Sequence, residues 1–126
     1  MGKPVNVTVI GAGSVVFSLA LVKDMCLTES LAGSHITFMD IHEGRLDTVY
    51  RLATRYAEDL GARLTFSKTL NRQESLQDCD FMVNTATVTD EYMMRAEREL
   101  ADSMGYHYGR TGLPYSMTGN LHLMLD

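Results

Sequence analysis

The run Val7-Thr8-Val9-Ile10-Gly11-Ala12-Gly13-Ser14-Val15-Val16-Phe17, answered by Asp40 after a second apolar run, constrains the fold more than any other part of the chain. An apolar strand leads straight into Gly-Ala-Gly and then into a helical pattern. Gly11 permits the tight strand-to-helix turn, and Gly13 has no side chain to hold the backbone off an anion. The free N–H groups that open the helix at Ser14 and Val15 then face that anion. A glycine pair of this kind is a weak signal by itself. Between a strand and a helix, with a carboxylate ending the next strand, it is the order that a dinucleotide pyrophosphate requires.

The rest of the chain repeats that alternation. Val5 to Ile10 reads as a buried strand, and Val15 to about Leu27 as a helix with Leu19, Val22 and Met25 or Cys26 on its inner face. His35 to Met39 is a second strand ended by Asp40. Arg45 to Leu60 is the clearest amphipathic helix, with Leu46, Val49, Tyr50, Ala53, Tyr56, Ala57 and Leu60 at helical spacing and Gly61 closing it. Leu64 and Phe66 alternate with Thr65 and Ser67 as a third strand. Asn71 with Glu74 reads as a capping-box variant that opens a short helix through Leu76. Phe81 to Thr85 is a fourth strand, and Glu91 to Met104 a helix that buries Met93, Ala96 or Glu97, Leu100 and Met104 before Gly105 stops it. Residues 105–119 read as a loop, and residues 120–126 as the start of another helix.

Such an order requires a parallel sheet, because each right-handed crossover lays its helix on the sheet. The expected fold class is therefore α/β, a Rossmann-type doubly wound parallel sheet. At 126 residues the chain is expected to be one NAD-binding domain, 1–126, and the N-terminal part of a larger protein, since it stops at Leu125-Asp126 with no capping residue. Apolar residues make up 45% and charged residues 21%, which marks a globular rather than a disordered chain. The net charge of −5 and the scattered Lys and Arg argue against nucleic acid as a partner. No apolar run is long enough to span a membrane and no room is left for a signal peptide, so the expected location is cytoplasmic. Cys26 and Cys79, far apart and without a Cys-x-x-Cys spacing, are expected to be buried free thiols rather than zinc ligands. The methionines, of which several follow residue 90, read as gap-filling core side chains.

Asp40 is the second anchor of the expected site. A carboxylate at the end of the second strand accepts both ribose hydroxyls of an adenosine and repels a 2′-phosphate, so NAD rather than NADP is expected. The alternative is that Asp40 caps the following helix. Arg45 either lies over the adenine or pairs with Glu43 at the helix start. Ser14 faces the phosphates by position, though its hydroxyl could equally cap the helix. Val16 stands where the common dinucleotide pattern has its third glycine, which is expected to let the helix pack less tightly on the strand. Ligands of doubly wound sheets sit beyond the carboxyl ends of the strands, so Asn84, Thr85 and Ala86 are expected to border the cofactor ribose. Asn84 could instead satisfy only local backbone groups.

Four segments carry a family resemblance: Gly-Ala-Gly-Ser-Val-Val-Phe (11–17), Met-Asp-Ile-His-Glu-Gly-Arg-Leu (39–46), Asp-Cys-Asp-Phe-Met-Val-Asn-Thr-Ala (78–86) and Tyr-Met-Met-Arg (92–95). Together they resemble glycoside hydrolase family 4. The segments at 21–24 and 31–34 are most similar to its α-glucosidase and α-galactosidase members. The resemblance runs from about Val5 to about Tyr108 and accounts for Val16, since the family carries Ser-x-x-Phe after its second glycine. It implies an unusual hydrolysis. NAD oxidises the sugar's C3 hydroxyl, which acidifies the C2 proton. A tyrosine removes that proton while a divalent metal, usually manganese, stabilises the enediolate. Elimination, water addition and return of the hydride follow. The paired carboxylates of ordinary glycosidases are not needed.

By that resemblance Gly11, Gly13, Ser14, Val15, Asp40, Asn84 and Thr85 hold NAD, and Arg95 contacts the sugar. The alternative for Arg95 is a solvated helix position that pairs with Glu91 or Glu99. The metal ligands and the tyrosine base lie beyond Asp126, so the expected set of catalytic and metal residues within this chain is empty. Two departures stand out: Thr111 occupies the place of a family carboxylate, and Thr-Gly-Leu-Pro-Tyr-Ser replaces a Gly-Pro-Gly-Gly turn. The expected partners are a small-molecule glycoside and, for the intact protein, further copies of itself. The competing reading is an NAD-dependent oxidoreductase of the lactate or malate dehydrogenase type. Against it stand Val16 and the lack of an arginine-rich loop after residue 86. A non-enzymatic nucleotide-sensing module is a third.

Overall fold

The computed structural model describes residues 2–86, 95, 99–100 and 102–105. The chain divides into two compact units, Met1–Ala86 and Thr87–Asp126. The first unit holds four strands, β1 (Asn6–Ile10), β2 (His35–Met39), β3 (Thr65–Thr69) and β4 (Phe81–Asn84). Between them lie α1 (Val15–Leu27), a 3-10 turn (Glu29–Leu31), α2 (Glu43–Asp59) and the single turn α3 (Arg72–Ser75). The sheet order is β3-β2-β1-β4, with every pairing parallel. This is the Rossmann-type α/β arrangement expected from the alternation of strands and helices.

One face of the sheet carries the core. Val7, Val9, Ile36 and Phe38 point to the side covered by α1 and α2 and pack with Val22, Leu46, Val49 and Ala53. Phe66 extends this layer by stacking on Phe38, ring centroids 5.7 Å apart. Each such side chain contributes about 1.5–3 kcal/mol when fully buried. The alternate positions differ in kind. His35 bonds Thr65 through Nδ1 and Ser67 through Nε2, each at 2.8 Å, and Ser67 meets Thr37 at 3.0 Å. Thr8 donates its hydroxyl proton to the Ser75 carbonyl on α3. Parallel strands are commonly apolar on both faces; here the face that meets α3 carries hydroxyls, paired between β2 and β3 and, for Thr8, with α3.

α2 follows its periodicity, with Leu46, Val49, Ala53 and Ala57 buried. Tyr56 and Leu60, expected on the same face, are exposed because they lie at the rim of the stripe. α1 departs from expectation. Its buried residues are Ser18 and Val22, and Leu19 is only half-buried. The helix is apolar on nearly all sides, so apolar spacing does not single out a face. Ser18 takes the inner position because its hydroxyl satisfies the Ala12 carbonyl at 2.7 Å.

The capping box at α3 is also rearranged. The Asn71 side chain accepts from the Gln73 and Glu74 N–H groups, at 2.9 and 3.2 Å, as expected. Glu74 turns to the Thr69 hydroxyl, and that hydroxyl in turn accepts the Asn71 N–H. The reciprocal arm thus runs through Thr69. Cys26 and Cys79 are free but only half-buried, short of the full burial expected.

In the second unit Arg95, Glu99, Leu100, Asp102 and Ser103 have helical backbone. Gly105 ends that segment with φ +79° and an N–H bond to the Asp102 carbonyl. Leu100 and Met104, expected to be buried, are exposed. The expectations for Met93, Ala96, Glu97, His107, Thr111 and the final helix lie outside the described residues. No helix among the described residues is long and apolar enough to cross a membrane.

Candidate functional site

The β1–β2 register pairs Ile10 with Met39, which brings the ends of the two strands level. Gly11 and Ala12 therefore both donate their N–H groups to the Met39 carbonyl, at 2.9 and 3.0 Å. Gly11 has φ +81°, in the left-handed region that favours glycine. A Cβ there would lie 2.5 Å from the Ala86 nitrogen and 2.7 Å from its Cα. The Thr85–Ala86 peptide after β4 thus passes directly against the turn. Thr85 completes the contact: its N–H donates to the Ile10 carbonyl at 2.8 Å. Its hydroxyl lies 3.0 Å from the carbonyls of both Ile10 and Gly11.

Ser14 is the N-cap of α1, with extended backbone and no capping bond from its hydroxyl. The first helical bond runs from the Ser18 N–H to the Ser14 carbonyl, 2.9 Å. The N–H groups of Val15, Val16 and Phe17 have no backbone acceptor outside the helix among the described residues. Ser14 N–H makes only a long bond of 3.4 Å to Gly11. Three or four donors at the positive end of a helix dipole form the kind of cradle that holds a phosphate group.

Asp40 uses both carboxylate oxygens on the backbone. Oδ2 accepts the Gly13 N–H at 2.7 Å, and Oδ1 accepts the His42 N–H at 2.9 Å. A Cβ on Gly13 would lie 2.7 Å from Oδ2 and 2.9 Å from Cγ. The open space at Gly13 therefore admits the Asp40 carboxylate, whereas the sequence suggested that it admits a phosphate. The alternative role foreseen for Asp40, steadying the start of the next helix, is present in the His42 bond. It does not compete with the ribose role, because each carboxylate oxygen keeps a further lone pair.

The remaining expected residues fall in different settings. Asn84 is exposed and its Oδ1 accepts the Ala86 N–H at 3.1 Å, the local backbone role foreseen as its alternative. Its side-chain amide nitrogen bonds nothing among the described residues. Thr85 spends its hydroxyl on the turn. Arg45 is exposed and makes no ion pair with Glu43; among the described residues the ion pairs are Arg51–Asp47, Arg55–Asp59 and Lys68–Asp47. Val16 is 86% exposed, so it does not stand between helix and strand and does not loosen their packing. Arg95 is an exposed helical residue of the second unit.

Two features escaped the sequence. A cavity of about 600 Å³ opens beside Asp40, lined by Met39, Ile41, Leu70, Asn71, Arg72 and Gln73. Ile41 is 77% exposed there, an apolar side chain directly after the carboxylate; that adjacency was the available signal. A second cavity of about 360 Å³ lies where β2 and β3 begin, lined by Cys26, Thr28, Glu29, Ala32 and residues 61–64 among others. Burial pushes the Cys26 thiol up, so it stays protonated at neutral pH and is a poor nucleophile. Among the described residues no three His, Cys, Asp or Glu side chains converge to hold a metal ion.

The geometry agrees with comparisons to known proteins. The sequence profile of the Family 4 glycosyl hydrolase family matches residues 6–123. A 6-phospho-alpha-glucosidase from gut microorganisms, solved with NAD and Mn2+, superimposes on 82% of this chain with a TM-score of 0.68 at 21% identity. The 6-phospho-beta glucosidase of Thermotoga maritima, solved with NAD and glucose-6-phosphate, covers 82% at a TM-score of 0.69 and 17% identity. The chain spans 24% of the length of each of these proteins. The malate dehydrogenase of Cryptosporidium parvum shares the fold more loosely, with a TM-score of 0.55 at 19% identity over 81% of this chain and 32% of its own. With nearly all of its length matched by the family profile, and with the strand–turn–helix and Asp40 in place, the chain belongs to the Family 4 glycosyl hydrolases.

Proposed function

We propose that the chain is the NAD-binding part of a glycosidase that cleaves an α-glycoside through transient oxidation of the sugar. The observation that carries this reading is the cluster of free N–H groups opening α1 beside the Asp40 carboxylate. The residues present fit the cofactor. The Ser14 hydroxyl and the N–H groups of Val15, Val16 and Phe17 bind the pyrophosphate. Asp40 accepts the adenosine ribose hydroxyls through its remaining lone pairs and disfavours a 2′-phosphate by like charge. Ile41, Met39 and Leu70 offer apolar surface to the adenine. The exposed amide of Asn84 would serve the second ribose, and Thr85 would act there through the turn. Arg95, with a planar fork of donors, serves the sugar or its phosphate. When bound, NAD supplies a reversible hydride acceptor.

Manganese finds no ligand set among the described residues. The 126-residue chain alone is expected to bind NAD weakly and to hydrolyse nothing. NAD is an intracellular cofactor, which supports a cytoplasmic location. Neighbours named for 6-phosphoglucosides support testing phosphorylated substrates as well.

The test takes the protein at full family length with p-nitrophenyl α-glucoside and its 6-phosphate. NAD and manganese are present together and then omitted in turn. We expect release of nitrophenol that requires NAD without net NADH production. Hydrolysis indifferent to NAD refutes the reading. NADH accumulating without bond cleavage favours the dehydrogenase alternative.

A further inference from the structure

Every polar backbone group of the Gly11-Ala12-Gly13 turn that could reach a ligand, up to the Gly13 N–H, is held by a group from elsewhere in the fold. The Gly11 and Ala12 N–H groups go to Met39 on β2, and the Gly13 N–H goes to Asp40. The two carbonyls in between are held by side-chain hydroxyls: Gly11 by Thr85 and Ala12 by Ser18. Ser18 is fully buried, and the Ala12 carbonyl is its acceptor at 2.7 Å. These two peptide units each adjoin a glycine, which allows a peptide flip at little steric cost. A flip would break the Ala12 N–H bond to Met39 or the Gly13 N–H bond to Asp40 and displace the N–H groups of α1 that follow the turn.

We infer that Ser18 and Thr85 are positioning residues for the anion cradle, their hydroxyls pinning the Ala12 and Gly11 carbonyls so that the turn holds the opening N–H groups of α1 in place for a bound pyrophosphate. The inference rests on the nucleotide reading above. Thr85 then acts on the turn and does not touch the cofactor. Without either hydroxyl the turn populates conformers that do not bind, and apparent affinity falls in proportion to the competent fraction.

The experiment titrates adenosine, ADP and NAD into the full chain by ¹⁵N-detected chemical-shift mapping, comparing the wild type with Ser18→Ala, Thr85→Val and Thr85→Ser. Adenosine lacks phosphate and reports the Asp40 side of the site alone. We expect ADP and NAD to bind roughly tenfold more weakly to Ser18→Ala and Thr85→Val, with adenosine unchanged in Thr85→Val, where the peptide unit released does not touch Asp40. Thr85→Ser, which keeps the hydroxyl, should bind as the wild type does. If Ser18→Ala fails to fold, the Val and Ser pair at position 85 carries the comparison. Wild-type affinity for ADP in Thr85→Val overturns the inference. So does a loss shared equally by adenosine and ADP, which would mark a general scaffold role. A wild-type chain that binds neither ADP nor NAD overturns the nucleotide reading itself, and this inference with it.

Discussion

Gly11→Ala tests the closest backbone approach in the site. Two costs add. The first is conformational: φ +81° is a region in which an L side chain costs about 1–2 kcal/mol. The second is steric: the new Cβ would meet the Ala86 nitrogen at 2.5 Å, the Ala86 Cα at 2.7 Å and the Thr85 carbonyl carbon at 2.9 Å. All three are backbone atoms, so relief requires the β4 end to shift, and Thr85 ties that end to β1. Overpacking of this kind costs about 1–3 kcal/mol. The sum is roughly 2–5 kcal/mol, a large share of the 5–15 kcal/mol that holds a typical domain together.

Two other glycines separate the terms. Gly61 has φ +63° with nothing within 4 Å of its Cβ position, so Gly61→Ala isolates the conformational cost at about 1–2 kcal/mol. Gly44 lies in the first turn of α2 with open space around it, and Gly44→Ala should be neutral or stabilise by up to about 1 kcal/mol. Urea unfolding followed by far-ultraviolet circular dichroism gives all three as midpoint shifts at constant slope. The expected order of stability is Gly44→Ala highest, then the wild type, Gly61→Ala and Gly11→Ala. A Gly11→Ala cost no greater than that of Gly61→Ala would mean that the turn and the segment after β4 are not in contact, which refutes this geometry of the site.

Asp40→Ala removes two charge-assisted acceptors, on Gly13 and His42, and should destabilise the chain by about 2–3 kcal/mol in the same urea experiment. Asp40→Asn should narrow the preference for NAD over NADP by roughly tenfold in calorimetric titrations, and an unchanged ratio would refute the ribose role. Acid stability should depend on Asp47, because the hydrogen bond and charge of Lys68 hold its carboxyl below its ordinary value of 3.8. A carboxyl lowered in the folded state contributes above its unfolded pKa and loses that contribution as pH falls through the lower folded value. The stability difference between the wild type and Asp47→Asn should therefore be constant near neutrality and close below about pH 4. Both groups are solvent-exposed, so added salt should shrink it too; a difference that persists at low pH would count against the pairing.

The second helix and the Gly61 stop follow from apolar spacing alone, since a seventeen-residue amphipathic stripe has one way to face a sheet. The first helix does not, because it is apolar on nearly every side and its inner face is chosen by a hydroxyl. Ser18 reads as an ordinary polar residue until Ala12 is seen beneath it. The cavity beside Ile41 escaped for a similar reason: it is assembled from the ends of β2 and of β3, and neither segment shows it alone.

What the amino-acid sequence determined by itself is local: a strand that breaks at glycine, a helix that begins after it, and a carboxylate that ends the next strand. These follow from the conformational preferences of neighbouring residues, and they were enough to indicate a nucleotide site and a family. What each of those residues does was decided by tertiary structure. Gly13 makes room for Asp40, 27 residues away, and Thr85 holds Gly11 across 74 residues. Those pairings exist only because Ile10 lies level with both Met39 and Asn84 in the parallel sheet. Strand register is a property of the assembled core and brings together groups that no local pattern relates.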